Sequence, residues 1–202
     1  MSVNQVLPLT ELIEQFRKLQ GIGAKSAQRM AYQVLGWEQG EAEKFAEAIL
    51  KASRDIHFCK ECFNFSTGHK PCNICSDTRR NSHSVCIVAN VRELGAIERT
   101  REFKGKYHVL HGLISPMDGI GPDNLKIKEL LQRVSSDPDI DEIILALTPT
   151  TEGEATTLYI TKLLKPLVKK ITRLAFGLAV GSEIDQTDEL TLARAFEGRK
   201  EC

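Results

Sequence analysis

The sequence predicts an α/β protein in which a small helical region and a cysteine-rich segment precede the α/β domain. Three observations support this prediction. Apolar residues recur at helical spacing up to about residue 57, four cysteines stand in two CxxC pairs, and short apolar runs alternate with helical patterns from residue 84 onward. Strands that alternate with helices are typical of a mostly parallel sheet. We therefore expect domains at residues 1–57, 58–80 and 81–202.

The composition of the 202-residue chain is that of a folded protein. Hydrophobic residues make up 42% and charged residues 27%, and 27 basic residues balance 27 acidic ones. These values exclude a largely disordered chain. Because the chain is neutral, any binding to nucleic acid must come from local patches. No apolar stretch could cross a membrane and no secretory signal is visible, so a cytoplasmic location is expected.

The N-terminal region is expected to contain three helices and no strand. The first covers about residues 9–19, with a start near Thr10 and Glu11, the second covers 27–34 and the third covers 41–52. In each, apolar residues recur every three or four positions, which is the period of a helix with one buried face.

A short turn with two glycines separates the first two of these helices. Gly21 and Gly23 flank an isoleucine, and such a turn exposes backbone amides that can bind a phosphate oxygen without reading base sequence. Lys25 and Arg29 are four residues apart, so they lie on one helical face and can point at the same backbone. The pattern is that of a helix–hairpin–helix DNA-binding motif. An ordinary helical turn with solvated charges is the alternative, since glycine is also a common C-cap.

The cysteines form the most specific local pattern. Cys59 and Cys62 make one CxxC pair, and Cys72 and Cys75 make a second after nine intervening residues. Two such turns present four thiolates in a tetrahedron and leave no open position, which indicates one structural zinc ion per chain. Zinc binding can supply on the order of 10 kcal/mol to a segment with almost no core. Two disulfides or four unrelated thiols are the alternative.

In the C-terminal region, strands are expected to alternate with helices. Strands are expected at residues 85–89, 107–110, 142–147 and 171–176, and helices at 94–100, 125–134 and 155–167. Cys86 lies in the first strand and is expected to be a buried apolar side chain. Cys202 ends the sequence, and no role is indicated for it.

One loop of this region contains candidate binding residues. Glu152 and Glu154 follow a buried strand, and ligands of open α/β sheets collect at the C-terminal ends of strands. The two carboxylates could hold a divalent metal ion. They could equally stabilise the start of the next helix through its dipole.

These parts, in this order, resemble the RecR family of bacterial recombination mediators over essentially the whole chain. Besides the hairpin and the cysteines, the segments 108–122, 149–156 and 191–199 are close to the sequences typical of that family. The resemblance implies that the third region is a Toprim domain, the α/β module shared with topoisomerases and primases.

The resemblance also implies that the chain is not an enzyme. Catalytic Toprim domains hold magnesium with a glutamate after the first strand and an Asp-x-Asp after a later one. Here these positions are Ala89, Thr148 and Thr150, so all three carboxylates are missing. Ala89 departs from the family as well, since its members usually keep the glutamate. A Toprim-type, magnesium-dependent nuclease or primase-like enzyme is the alternative. A zinc-containing regulator that reads a DNA sequence is a second, although no recognition helix is evident.

The function implied by the resemblance is that of a DNA-binding mediator in repair. Such proteins form a tetrameric ring able to encircle single- or double-stranded DNA, and they act with RecO and RecF. The complex helps to load RecA onto SSB-coated single-stranded DNA at gaps, which implies a cytoplasmic, nucleoid-associated protein with no membrane contact.

The resemblance assigns roles to particular residues of this sequence. Contacts to the DNA backbone are expected from the hairpin and its flanks: Lys25, Arg29, Gly21 and Gly23, and more weakly Arg17 and Lys18. Contacts to partner proteins are expected from an acidic Toprim face: Glu93, Glu152 and Glu154.

Overall fold

The structure is a computed structural model that describes residues 6–68 and 71–199. Cys202 lies outside the described residues. The chain divides into two compact units, of which unit 1 ends at Ile56 and unit 2 begins at His57. Among the helices of the described part, none combines the length and the apolar character that crossing a membrane requires.

Unit 1 consists of helices. They are α1 (Leu7–Arg17), α2 (Ala24–Leu35) and α3 (Gln39–Asp55). Ala27 and Ala31 are fully buried on α2, which packs against α1, and their small side chains allow the two helices to approach closely. The expected start of α1 near Thr10 is wrong, because the helix begins three residues earlier with a proline in its first turn. Proline suits that position since its missing amide would have no partner there.

The cysteine-rich segment contains three short elements. Strands β1 (Ile56–Phe58) and β2 (Phe65–Thr67) form a two-stranded sheet, and α4 (Asn73–Ser76) is a single helical turn. Elements of three or four residues are too short to show a period in the sequence, which is why none of them was expected.

Unit 2 is built on a four-stranded sheet in which every pairing is parallel. Its order is β4-β3-β5-β6, and the strands are β3 (Asn81–Val88), β4 (Gly105–Val109), β5 (Glu142–Leu145) and β6 (Lys170–Arg173). The helices are α5 (Val91–Thr100), α6 (Ile127–Ser136), α7 (Thr151–Leu164) and α8 (Glu189–Glu197). The mostly parallel α/β sheet expected from the sequence is thereby confirmed.

Each face of this sheet packs into its own apolar cluster. The central strand β3 alternates between them: Val85 and Ile87 join the cluster formed with α6 and α7, while Cys86 and Val88 join the one formed with α5. Cys86 is buried as expected, and desolvation raises the pKa of its thiol to about 12. Both faces are covered, as parallel sheets require.

Helix α7 begins four residues earlier than expected, at Thr151 rather than near residue 155. The Thr150 side chain caps it by accepting a hydrogen bond from the Gly153 amide at 3.2 Å. A side chain at Gly153 would place its Cβ only 1.8 Å from the Thr148 carbonyl oxygen, so the tight entry to the helix requires glycine. Glu152 and Glu154 therefore lie in the first helical turn and not in a loop.

One histidine is completely enclosed in unit 2. His108 on β4 is 0% exposed, and its Nε2 donates to the Lys126 carbonyl oxygen at 2.7 Å. Its Nδ1 has no hydrogen-bond partner among residues 6–68 and 71–199. Burial holds the pKa of His108 at about 4, well below the value of an exposed imidazole. The ring is therefore neutral in the folded protein at neutral pH.

This burial predicts a pH-dependent stability of unit 2. Between pH 6.5 and 4 the unfolded chain binds a proton at His108 that the folded chain excludes, so the free energy of unfolding falls by about 3 kcal/mol over that range. Well above pH 6.5, where His108 is unprotonated in both states, the residue contributes no pH dependence. Hydrogen exchange of the β3 amides measures the effect, since the single tryptophan, Trp37, reports on unit 1.

The His108→Gln variant separates this contribution from other acid effects. The stability difference between wild type and variant is expected to shrink as the pH falls from 6.5 to 4. The exposed His57→Gln variant is the matched control and should follow the wild type. A wild-type-to-His108→Gln difference that is constant over this range would contradict the prediction.

Candidate metal centre and nucleic-acid interface

The four predicted metal ligands lie together. The sulfurs of Cys59, Cys62, Cys72 and Cys75 are all within 4.8 Å of one another, and the first three residues are buried. A Zn–S distance of about 2.3 Å places the sulfurs of a tetrahedral site about 3.8 Å apart. The cluster therefore has the donor type, the number of ligands and the spacing of a closed structural zinc site.

The thiols of this cluster influence one another's ionisation. The hydrogen bond between the Cys62 and Cys72 sulfurs, 3.5 Å apart, raises the pKa of Cys62 to about 12 and lowers the pKa of Cys72 below its usual range. Neighbouring thiolates at this spacing repel one another, so a cation is needed for all of them to be ionised together. A bound metal ion supplies that cation and deprotonates its ligands.

One lysine makes three of the hydrogen bonds that join the cysteine-rich segment (the zinc segment, residues 57–77) to the sheet. The Lys106 ammonium on β4 donates to the carbonyl oxygens of Ile74, Cys75 and Asp77 at 3.0, 2.9 and 2.9 Å. An ammonium has three protons, and each has an acceptor here. Sequence reasoning missed Lys106, since neither its spacing nor a motif distinguishes it from other lysines.

Two further bonds join the zinc segment to β4 and the residues after it. The Val109 amide donates to the Cys62 carbonyl oxygen at 2.8 Å, and His111 Nε2 lies 2.8 Å from the Phe63 carbonyl oxygen. Strand β4 is at the edge of the sheet. The segment thus covers part of an edge that would otherwise present unpaired backbone groups.

The hairpin of unit 1 has the geometry expected for phosphate binding. Gly21 has φ +81°, a left-handed conformation that favours glycine, and the Ile22 amide closes the turn on the Leu19 carbonyl oxygen at 3.1 Å. Gly23 is the N-cap of α2 and has no side chain to cap the helix. In the described part of the chain, the amides of residues 24–26 make no hydrogen bond, which leaves them available to an anion.

The basic residues around the hairpin differ in their partners. Lys25 and Arg29 are exposed, and neither has an ion-pair partner within the described residues. Arg17 forms an ion pair with Glu14 at 2.7 Å, and Lys18 donates to a glutamine at 2.9 Å. Within the described residues, α2 therefore contributes two cations without any side-chain partner, while the charge of Lys18 is held by a neutral amide and that of Arg17 is neutralised.

At the carboxyl edge of the sheet, the three positions considered for metal binding hold no carboxylate. Ala89 is buried at the end of β3, and Thr148 and Thr150 follow β5. Glu93 accepts hydrogen bonds from the Ala89 amide at 2.8 Å, from Asn90 Nδ2 at 3.0 Å and from Thr148 Oγ1 at 3.3 Å. Its oxygens stabilise the start of α5 and connect two strand ends.

The other two acidic candidates at this edge differ from each other. Glu154 pairs with Arg173 at 2.8 Å, and this hydrogen bond lowers the pKa of its carboxyl group. The Glu152 carboxylate has no partner within residues 6–68 and 71–199. Across those residues, the four cysteines are the one group of His, Cys, Asp and Glu side chains placed to hold a metal ion.

The Lys106 contacts generate a testable prediction. Lys106→Met removes the ammonium but keeps an apolar stem, so three carbonyl groups lose their donor and the free energy of unfolding of unit 2 falls by at least about 2 kcal/mol. Amides of β4 should exchange faster, as measured by mass spectrometry. Zinc should remain at one ion per chain, because the four thiols are unchanged.

Lys104→Met is the matched control, since Lys104 is exposed and precedes the same strand. It should leave both the stability and the β4 exchange unchanged. If the β4 amides of the Lys106→Met protein exchange at the wild-type rate, the ammonium does not hold the zinc segment against the sheet.

Comparison with known families agrees with this arrangement. Four family models match in chain order: the RecR helix-hairpin-helix over residues 9–53, the RecR four-cysteine zinc finger domain over 56–77, the Toprim domain over 83–175 and the RecR C-terminal region over 177–200. The match of the zinc finger model to the clustered cysteines identifies the ion that they bind as one structural zinc ion.

Curated relatives match over nearly the whole length. The "Recombination protein RecR" of Gloeobacter violaceus is 53% identical over 194 residues, which is 96% of this chain and 98% of the relative. The protein of that name from Thermosynechococcus vestitus is 48% identical over 201 residues, 100% and 98% of the two chains. The protein of that name from Anaeromyxobacter sp. is 50% identical over 194 residues, which is 96% of this chain and 97% of the relative. The resemblance seen in the sequence is confirmed: the chain belongs to the RecR family of recombination proteins.

Proposed function

We propose that the chain is a non-catalytic DNA-binding mediator of recombinational repair. In this proposal it acts with RecO and RecF and helps to load RecA onto SSB-coated single-stranded DNA at gaps. Membership of a family of recombination proteins supports the repair role. The observation that carries the DNA-binding part is the hairpin of unit 1, with its uncapped α2 and the unpaired Lys25 and Arg29.

The hairpin is suited to the phosphate backbone and not to base edges. The free amides at the start of α2 can each donate to a phosphate oxygen, and the partial positive charge of the helix N-terminus favours the anion. Lys25 and Arg29 lie one turn apart and add charge on the same side. Such contacts fix a protein on DNA without reading its sequence, which suits a mediator that acts at gaps anywhere in a genome.

The carboxyl edge of the sheet supports the absence of catalysis. Magnesium-dependent phosphoryl chemistry needs carboxylates to hold the ion, and the positions concerned are Ala89, Thr148 and Thr150. Glu93, the acidic side chain nearest to Ala89, is hydrogen-bonded to three donors of the protein. The nuclease or primase-like alternative lacks its ligands here.

A ring of four chains reconciles neutrality with DNA binding. With 27 basic and 27 acidic residues, one copy has only local positive charge to offer. Four copies around one DNA molecule multiply the hairpin contacts at a high effective concentration, and closure adds topological retention. We propose a homotetramer for this reason.

The acidic Toprim face is the proposed contact for RecO and RecF. Glu152 contributes the carboxylate without an internal partner among the described residues. Glu93 and Glu154 add negative charge at the same edge although both are hydrogen-bonded within the chain. An acidic surface selects basic partner surfaces and repels DNA, which separates the two kinds of contact.

The DNA contact is tested by Lys25→Ala combined with Arg29→Ala. Affinity should fall to the same degree on every DNA sequence, because backbone contacts are lost. The slope of log affinity against log salt should decrease by about 0.9 per lost duplex phosphate contact, hence by about 2. Fluorescence anisotropy over a salt series measures both quantities.

The control for this test is Lys44→Ala combined with Lys51→Ala on α3. Both lysines are exposed and belong to the same unit. This variant should bind as the wild type does. Equal affinities for the hairpin variant and this control would refute the hairpin assignment.

The partner contact is tested by charge reversal at Glu152. Glu152→Lys should weaken binding of purified RecO at least about tenfold, since a rim charge sets attraction and its reversal adds repulsion. Asp185→Lys, an exposed acidic residue elsewhere in unit 2, should have no effect. Calorimetry with both variants gives the comparison, and unchanged RecO affinity in Glu152→Lys would remove this residue from the proposed contact.

A further inference from the structure

The outer face of α5 carries arginines that the functions described above do not use. Leu94 and Ile97 point inward to the apolar cluster. Arg92 and Arg99 are exposed on the opposite side, seven residues and about two turns apart. Gly95 lies between them, and the Arg99 guanidinium is 3.9 Å from the position a Cβ of Gly95 would take. The Arg99 side chain therefore lies back along the helix toward Arg92.

Two more cations follow at the end of the helix, and none of the four has an acidic partner in the part of the chain that the structure describes. Arg101 and Lys104 are exposed, and within the described residues no ion pair involves either of them or the two helix arginines. The nearby acids are mostly engaged: Glu93 accepts from a backbone amide that precedes the helix, and Glu98 accepts from Arg80 at 3.0 Å. Glu102 is the one carboxylate of this stretch without a partner in the described part of the chain.

Two of these arginines occupy positions that do not favour them. Arg92 is in the first turn of α5, where the helix dipole is positive and an acidic residue is favoured. Arg101 has φ +61°, a left-handed conformation in which glycine costs least. Helix stability therefore explains neither residue. A local cost at both ends of one exposed helix indicates that the charge of these residues is used.

The character of the face points to a polyanion. Protein-binding surfaces are built around exposed aromatic or large apolar anchors. Between Phe65 and Met117, the described residues include no large apolar side chain that is exposed. What the face offers is guanidinium and ammonium groups, which match phosphate oxygens in charge and hydrogen bonding.

We propose that Arg92, Arg99, Arg101 and Lys104 form a second phosphate-binding site, the α5 surface, that contacts the nucleic-acid backbone. The inference rests on the proposed DNA-binding function and extends it. Unit 1 contributes its hairpin, and unit 2 contributes the α5 surface. Each contact is independent of base sequence, and each adds to the salt dependence of binding.

The test compares two double variants in the full-length protein. Arg92→Gln combined with Arg99→Gln should weaken binding at least about tenfold at 0.1 M salt and lower the salt slope by about 2 on a short duplex. Lys162→Gln combined with Lys165→Gln is the matched control, because both lysines belong to α7 and its C-cap in the same unit and neither has an ion-pair partner among the described residues. It should bind as the wild type does. The probes are a duplex of random sequence and an oligo-dT strand.

Arg101→Gly distinguishes a binding role from a structural one. Glycine relieves the left-handed backbone, so the melting temperature should stay equal or rise. The affinity for both DNA probes should nevertheless fall. A lower melting temperature with unchanged DNA affinity would mean that Arg101 is structural, and it would overturn the proposal.

The outcomes separate this inference from the hairpin assignment. Normal binding by the Arg92/Arg99 variant, alongside weak binding by the Lys25/Arg29 variant, overturns the α5 surface alone. The reverse pattern supports the α5 surface and overturns the hairpin. Normal DNA binding with weakened binding of an acidic protein would make the α5 surface a protein contact and would likewise overturn the proposal.

Discussion

The Lys106 ammonium joins the metal centre of unit 2 to its sheet, and the position of the zinc segment depends on this contact together with its neighbours. Among the described residues of 57–77, the segment's own buried cluster consists of cysteines, with Ile74 packed against it, so zinc gives the segment its local order. The metal alone does not fix where the segment lies. The ammonium of Lys106 uses all three of its protons on the end of the segment, a β4 amide adds a further hydrogen bond, and Phe63 and Ile74 pack against the apolar cluster of the sheet. The covered edge strand then pairs only with β3 among the described strands, and its outer edge is protected.

At the carboxyl edge of the same sheet, structural contacts occupy the positions from which a Toprim metal site would be built. Where a magnesium site would need acidic side chains, there is a buried Ala89 and the cap Thr150, and Glu93 satisfies backbone and side-chain donors. The caps and the packing depend on these side chains, whereas an activity depends on a few site residues, so the fold alone does not decide the activity. Negative charge remains at this edge in Glu152, and the proposed partner contact uses it.

How far the sequence predicted the structure depended on how local the determining interactions are. The cysteine site was predicted fully, since two CxxC turns encode four ligands within a short stretch, and the strands of the sheet were found from their apolar runs. The start of α7 was missed, because a threonine cap and the close approach at Gly153 decide it. The role of Lys106 could not be predicted, since its acceptors lie about thirty residues away in the sequence. The left-handed conformation of Arg101 could not be predicted either, since the residue type does not indicate a positive φ.

Charge neutrality makes the number of copies the central question of the functional proposal. One chain offers a hairpin and the α5 surface, and each can neutralise only a few phosphates, so binding by a single copy would be weak and sensitive to salt. A closed ring of four solves this by repetition. Light scattering of the purified protein over a range of concentrations tests the claim directly. With 22.5 kDa per chain, the proposal predicts a species of about 90 kDa. A monomer at every concentration, with and without DNA, would contradict it.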